Sequence, residues 1–244
     1  MVLLNIMVKS KINNIPVMVP VFNHGVTIKQ MVNNISQYFQ HIIIIDDGST
    51  VPVNTIINDK NITILRHSRN LGKGKAILTG LNFIKKSGFD KVIAIDADGQ
   101  HFIEDILPYI DIISNSKNTI FIGNRIMNGK NIPEISKFGR LFSNFWIYIE
   151  TFKKIRDSQC GFRVYPISVL SLNCLRERFD FEVEVLVKHL WRDGEIIEFP
   201  INVIYPPKKL RISHFNKLWD NMRISFLHTN LILQRIFLLK GFLR

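Results

Sequence analysis

The chain has little cysteine, no long uncharged apolar run and too few acids to balance its bases. Only Cys160 and Cys174 are present, with neither a C-x-x-C pair nor metal-ligand spacing. That pattern points away from a disulfide scaffold and a cysteine zinc site, and toward two free thiols in a reducing cytosol. No uncharged apolar run reaches the length of a membrane-spanning helix. The opening segment, MVLLNIMVKSK, is apolar but short, contains Asn5 and lacks a small-residue cleavage signal, so no secretory peptide is expected. Glycine (13) and proline (9) are not enriched, and no tract is repetitive. Disorder over most of the length is therefore not expected.

What is present fits one α/β domain, or one domain with a small appendage: 244 residues, 46% of them apolar. Lys and Arg number 32 against 20 acids, a formal charge of +12. Such basicity suits nucleic acid, an anionic membrane surface or a phosphate-rich substrate, and composition does not choose among them. Part of the charge is concentrated at the C-terminal end, where basic residues from Lys208 to Arg244 face one acid, Asp220.

Apolar runs and helical patterns alternate. Val17 to Phe22 reads as a buried strand entering a loop at Asn23-His24-Gly25. Thr27 and Gln30 have capping-box spacing before a helix whose inner face is Ile28, Met31, Val32, Ile35 and Phe39. His41 to Ile45 is a second strand, apolar on both faces, and Ile62 to Leu65 a third. A helix from Asn70-Leu71-Gly72-Lys73-Gly74 to Ser87 buries Ala76, Ile77, Leu81 and Ile84. Lys91 to Ile95 is a fourth strand, Glu104 to Ile113 a helix and Thr119 to Ile122 a fifth strand. This alternation predicts an α/β fold with a doubly wound, mostly parallel sheet. Polar residues follow four strands, and open α/β sheets bind ligands along that edge. Beyond it lie an aromatic-rich segment from Phe142 to Ile155 and a helical Phe181 to Trp191. An extended Ile196 to Val203, ended by Pro206-Pro207, precedes a final helical region from Asn216 to Lys240.

The carboxylate turns are the chemical candidates. Asp96 and Asp98, two apart at a strand end, repel unless a cation or proton lies between them, and oxygen donors of this kind suit Mg²⁺ or Mn²⁺. Gln100 adds a neutral oxygen. A solvated turn is the alternative. Asp46 and Asp47 close another strand and could accept from ribose hydroxyls or base N–H groups, form an Asx-turn in which Asp46 caps the next segment, or do both. Gly72-Lys73-Gly74-Lys75 lacks P-loop spacing, but a glycine turn at a helix N-terminus suits an anion, with Lys75 as a candidate contact or simply a solvated side chain. Arg125, at the end of the fifth strand, is a candidate diphosphate clamp.

Seven short segments in order carry a resemblance: Val19-Pro20-Val21-Phe22-Asn23, Asp46-Asp47-Gly48-Ser49, Gly72-Lys73-Gly74-Lys75-Ala76, Asp96-Ala97-Asp98-Gly99-Gln100-His101, Gly123-Asn124-Arg125, Asp157 to Arg163, and Phe181-Glu182-Val183-Glu184. They resemble the inverting GT-A glycosyltransferases of family 2, above all the polyprenyl-phosphate sugar synthases such as dolichol-phosphate mannose synthase. The resemblance spans residues 15 to 206. It implies a GT-A domain over 1–206 and a basic, interfacial C-terminal extension over 207–244. Pro20, Phe22 and Asp47 would line the base and ribose pocket. Asp96, Asp98 and Gln100 match metal ligands, and Arg125 would hold donor phosphate. Asp157 would lie near the transferred sugar or acceptor, Arg163 would hold phosphate or fix the loop, and Glu182 and Glu184 match a region near the acceptor. The family usually has an acid where His24 stands, and the transmembrane pair of some synthases is absent.

The expected reaction moves a sugar from a nucleoside-diphosphate sugar to a polyprenyl phosphate. A hydroxyl of an envelope glycan or glycolipid is the alternative acceptor, and would need Asp157, Glu182 or Glu184 as base. A nucleotidyltransferase lacks its glycine- and arginine-rich loop after the first strand. A catalytically silent sugar or lipid binder does not need the paired aspartates, and no nucleic-acid-binding motif is present. Aromatics beside basic ends in Phe142 to Phe152, and the interrupted apolar tail, predict a cytoplasmic protein peripheral at the inner face of an anionic membrane. Packing of the tail on the domain, or a homodimer contact, is the alternative.

Overall fold

The computed structural model describes residues 14–126, 134–204 and 217–242. The N-terminal apolar segment, Pro206-Pro207 and the basic stretch around Ser213-His214-Phe215 lie outside the described residues.

A seven-stranded sheet forms the centre. Its strands are β1 (Val17–Val21), β2 (Ile42–Asp46), β3 (Ile62–Arg66), β4 (Lys91–Ala94), β5 (Thr119–Arg125), β6 (Arg163–Pro166) and β7 (Glu195–Ile201), in the order β3-β2-β1-β4-β6-β5-β7. β1 to β4 run parallel, as their continuous Ile and Val content requires of strands covered on both faces. β5 and β7 also pair in parallel, whereas β6 is antiparallel to β4 and β5. No strand was expected at β6, because Arg163-Val164-Tyr165-Pro166 is short and carries an arginine and a proline at its ends. The sheet pairs it on both sides nonetheless, and its side chains are buried.

The main helices are α1 (Gly25–Ser36), α2 (Lys73–Lys86), α3 (Ile110–Asn115), α4 (Glu134–Thr151), α5 (Phe181–Trp191) and α6 (Lys217–Phe242). α2 lies against β1, β2 and β4 through Ala76, Ile77, Leu81 and Ile84, the face its spacing predicts. Two local expectations differ. α1 begins at Gly25, after His24, with no side-chain cap, so Thr27 is already inside the first turn. Its hydroxyl donates instead to the carbonyls of Ala97 (2.6 Å) and His24 (3.2 Å). The predicted helix Glu104 to Ile113 is a 3₁₀ segment, Ile103–Tyr109, followed by α3. Pro108 has no N–H to donate to an α-helical ladder, which disfavours an uninterrupted α-helix there.

α4, α5 and α6 pack on one another. α6 reaches the main core through Leu227 and Leu231. Its buried His228 meets the buried Glu150 of α4 at 2.8 Å (Nδ1 to Oε1), and the Trp146 ring stacks on the His228 ring. Among the described residues no helix is long and apolar enough to cross a membrane.

Candidate active site

Register brings the polar turns to one edge. Val21 pairs with Asp46, and Asp46 with Arg66, so the exits of β1, β2 and β3 are level. Ala94 pairs with Arg163, so the chain entering β6 passes beside the turn leaving β4. Gly123 N–H donates to Phe162 C=O (2.8 Å), which brings the exit of β5 to the same edge. A cavity of about 410 Å³ opens there, in the range of small-molecule sites. Pro20, Val21, Phe22 and His24 line it from the β1 exit, Asp47 from β2, and Asp96, Ala97, Asp98 and Gln100 from β4. Asn70, Gly72, Lys73 and Ala76 contribute from the α2 end, and Arg178 and Phe179 from the segment before α5.

The two acids after β2 have different tasks. Asp46 is buried and does not line the cavity. It accepts from Ser49 N–H (2.8 Å), Val53 N–H (3.1 Å) and the Arg66 guanidinium. Burial alone would raise its pKa; these donors outweigh it and hold the carboxyl below its ordinary value. These bonds make Asp46 the cap of the turn that follows β2. Asp47 lines the cavity and accepts at both oxygens: from Leu71 N–H (2.9 Å) and Gly72 N–H (2.8 Å), from the Asn70 amide (2.9 Å), and it meets His67 Nδ1 at 2.7 Å. It fixes the shape of the turn before α2.

Asp96 and Asp98 crowd one part of the wall. Burial and the neighbouring Asp96 carboxylate push Asp98 up to about 6. Asp96 is half-buried, which raises its pKa, yet Lys73 holds it below the ordinary carboxylate range. Lys73 Nζ lies 2.7 Å from Asp96 Oδ1 and 3.0 Å from Glu182 Oε1. Burial disfavours the ammonium, but Asp96 and Glu182 more than offset this and raise its pKa. Gly161 completes the cradle: a Cβ there would overlap the Asp96 carboxylate. Among the described residues no three His, Cys, Asp or Glu side chains group as a metal site. Two crowded carboxylates with Gln100 beside them fit a hard cation that takes its other oxygens from phosphate or water, as Mg²⁺ and Mn²⁺ do.

Several predicted residues stand elsewhere than expected. Lys75 does not line the cavity: its Nζ pairs with Glu177 at 2.9 Å, on the exposed side of α2. The cavity lysine is Lys73, which sequence reasoning passed over. Helical spacing carries the signal, since Lys73 is three and four residues before the buried Ala76 and Ile77, whereas Lys75 is not on that face. Arg125 does not line the cavity either; its fork is held by the buried Asp157, Nε to Oδ2 at 2.7 Å and Nη2 to Oδ1 at 2.8 Å. Arg163 is fully buried and donates to the carbonyls of Cys160 (2.7 Å), Ser158 (2.6 Å) and Glu182 (2.8 Å). These bonds tie the loop before β6 to α5. Glu182 reaches the site through Lys73. Glu184 accepts from Leu175 and Arg176 N–H (2.9 and 2.8 Å) and pairs with Lys188 at 2.8 Å, so it holds the chain that precedes α5. Arg178 and Phe179 were not singled out from the sequence at all.

This sheet, with its acidic turn after β4, is the GT-A class of nucleotide-sugar transferase fold. The solved glucosyl-3-phosphoglycerate synthase of Mycobacterium tuberculosis, in complex with Mn²⁺, UDP-glucose and phosphoglyceric acid, superposes with a TM-score of 0.68. That match is 16% identical, and covers 93% of this chain and 82% of the synthase. In sequence, residues 17–178 match the pattern of glycosyl transferase family 2. The UDP-N-acetylglucosamine–dolichyl-phosphate N-acetylglucosaminyltransferase of Methanococcus voltae is 31% identical over 211 residues, 77% of this chain and 84% of that protein. A dolichyl-phosphate beta-glucosyltransferase of Trichomonas vaginalis is 26% identical over 86% of this chain and 72% of its own length. The chain belongs to glycosyltransferase family 2 and is a glycosyltransferase.

Proposed function

We propose that the protein transfers a sugar, with inversion, from a nucleoside-diphosphate sugar to a polyprenyl phosphate, and that Asp96, Asp98 and Gln100 hold Mg²⁺ or Mn²⁺. The observation that carries this reading is the pair of crowded carboxylates leaving β4 into a cavity that Asp47 also lines. A divalent ion bound there supplies charge neutralisation for the departing nucleoside diphosphate. Pro20 and Phe22 offer the base an apolar wall, and Asp47 keeps the turn beside it in shape.

Two considerations favour a phosphate acceptor over a hydroxyl. The relatives above share a dolichyl-phosphate acceptor in their names while differing in sugar. Among the described residues the carboxylates lining the cavity are Asp47, Asp96 and Asp98. Asp47 already accepts hydrogen bonds at both oxygens, Asp96 pairs with Lys73, and Asp98 is assigned to the ion. None is left to act as general base, and a phosphate monoester, already anionic, needs none.

Calorimetric titration with UDP-, GDP- and dTDP-sugars in the presence of Mn²⁺ tests the donor, and UDP is expected to bind, as in the named archaeal relative. Transfer to polyprenyl phosphate should yield a product of inverted anomeric configuration by NMR. Asp98→Asn should abolish transfer and weaken Mn²⁺ binding, read by the ion's paramagnetic resonance, while circular dichroism stays unchanged. Full turnover of that variant in metal-free buffer would overturn the metal assignment, and no nucleotide binding at millimolar concentration would overturn the donor assignment.

A further inference from the structure

Among the described residues two cationic side chains line the cavity, Lys73 and Arg178. Lys73 is committed to Asp96 and Glu182. Of the other basic groups near this edge, Lys75 pairs with Glu177, Arg66 with Asp46 and Arg125 with Asp157, Arg163 donates to three carbonyls, and the exposed Arg69 does not line the cavity. Arg178 differs. It is exposed, it borders the cavity, and among the described residues no carboxylate pairs with it.

Its placement is built rather than incidental. Glu184 accepts from the N–H groups of Leu175 and Arg176, which fixes the start of the segment. Lys75 N–H donates to Glu177 C=O (2.8 Å), and Phe181 N–H to Arg178 C=O (3.2 Å). The turn at Gly72 and Gly74 lies directly on it. A Cβ at Gly72 would come 2.5 Å from Glu177 O and 2.7 Å from Arg178 Cγ, and one at Gly74 would come 2.9 Å from Arg178 O. Gly72 also has a φ of +106°, which side-chain-bearing residues rarely adopt. The glycine-lysine motif therefore seats the α2 end against residues 177–181 and holds Arg178 at the cavity rim.

We infer that Arg178 is the substrate-binding guanidinium of this site and donates to phosphate oxygens entering the cavity. The inference rests on the transferase reading above and deepens it by naming a phosphate-binding side chain, a role the family resemblance gave to Arg125. A guanidinium presents a fork of donors to a phosphate, a geometry an ammonium does not reproduce. The phosphate belongs either to the donor diphosphate or to the acceptor monoester; both present the same chemistry.

The experiment compares the full chain with Arg178→Gln and Arg178→Lys. UDP and uridine are titrated with Mn²⁺ present, and KM is measured for polyprenyl phosphate. Loss of a charge-assisted hydrogen bond corresponds to roughly tenfold to hundredfold. If the donor diphosphate is the ligand, Arg178→Gln weakens UDP by that factor and leaves uridine unchanged. If the acceptor is the ligand, UDP is unchanged and KM for polyprenyl phosphate rises by that factor. Arg178→Lys recovers part of the loss in either case. Wild-type binding of UDP with both quantities unaltered in Arg178→Gln overturns this assignment alone. No nucleotide binding by the wild-type chain overturns the donor reading and this assignment with it.

Discussion

An aspartate wrapped by donors cannot also receive a cation, and this separates the four acids of the two strand-end turns. Asp46 and Asp47 spend their lone pairs on backbone N–H groups and side chains of their own neighbourhood. Among the described residues Asp96 pairs with Lys73, and Asp98 accepts from Gln100 N–H (3.0 Å) alone. Gly161 gives a test of Asp96 that leaves the aspartate in place. Gly161→Ala would drive the carboxylate out of its position, because the added methyl overlaps it. The expected result is a loss of Mn²⁺ affinity and of transfer by at least tenfold, with thermal unfolding shifted only slightly since a side-chain end, not backbone, must move. A variant with unaltered Mn²⁺ affinity would show that Asp96 does not need this cradle. The aspartate pairs were legible in the sequence because acids directly after an apolar β-branched run mark a strand's exit into a polar turn. Which partner each would find was not legible. The ties of Asp96 to Lys73 and of Arg125 to Asp157 span 23 and 32 residues, and no local pattern specifies them.

Parallel strands and their helices were readable as elements because each buries a continuous or 3.6-spaced apolar set. β6 was not, because four residues with a buried arginine at one end carry no period. It is nonetheless the strand that brings Gly161 to Asp96 and lets β5 deliver Arg125 to Asp157. The glycine motif at the start of α2 suits an anion as a glycine turn at a helix N-terminus, but its contacts with the chain before α5 have no local sequence pattern. Gly74 tests that contact. A Cβ there would overlap Phe181 Cβ and approach Glu177 C at 2.9 Å, and neither can swing away as a flexible side-chain end can. Gly74→Ala should cost about 1–3 kcal/mol, the usual range for overpacking. At about 2–4 °C per kcal/mol for a chain of this size, the melting temperature should fall by several degrees. Transfer should fall as well, since the Arg178 segment shifts. A melting temperature at or above that of the unaltered chain would show that α2 and the 177–181 segment are not in tight contact.

At the scale of the molecule, a charge of +12 and a set of exposed apolar side chains need a common explanation. Phe145, Phe152, Trp219, Met222 and Phe226 are each more than half exposed, and all belong to α4, its end, or α6. We propose that this region meets an anionic membrane, where a polyprenyl acceptor would reside, and that residues 207–244 contribute basic and apolar groups to the contact. Each basic residue at such a surface adds about 1 kcal/mol, and a fully buried Phe roughly 1.5–3 kcal/mol. Truncating the chain near Arg223 would be a poor test. It would remove Leu227 and Leu231 from the core and strip the buried Glu150 of His228. Surface substitution avoids this: Phe145→Ser combined with Phe152→Ser touches two exposed rings. Flotation with phosphatidylglycerol vesicles at low salt should carry the unaltered protein upward and leave most of the double variant at the bottom. The partition ratio should drop on the order of a hundredfold if both rings insert, while UDP binding is retained. Phosphatidylcholine vesicles should bind less of the unaltered protein, since the basic residues then have no counter-charge. If neither protein floats, the membrane reading fails. If the double substitution instead converts a dimer to a monomer in sedimentation, the exposed rings belong to a contact between two copies of the chain.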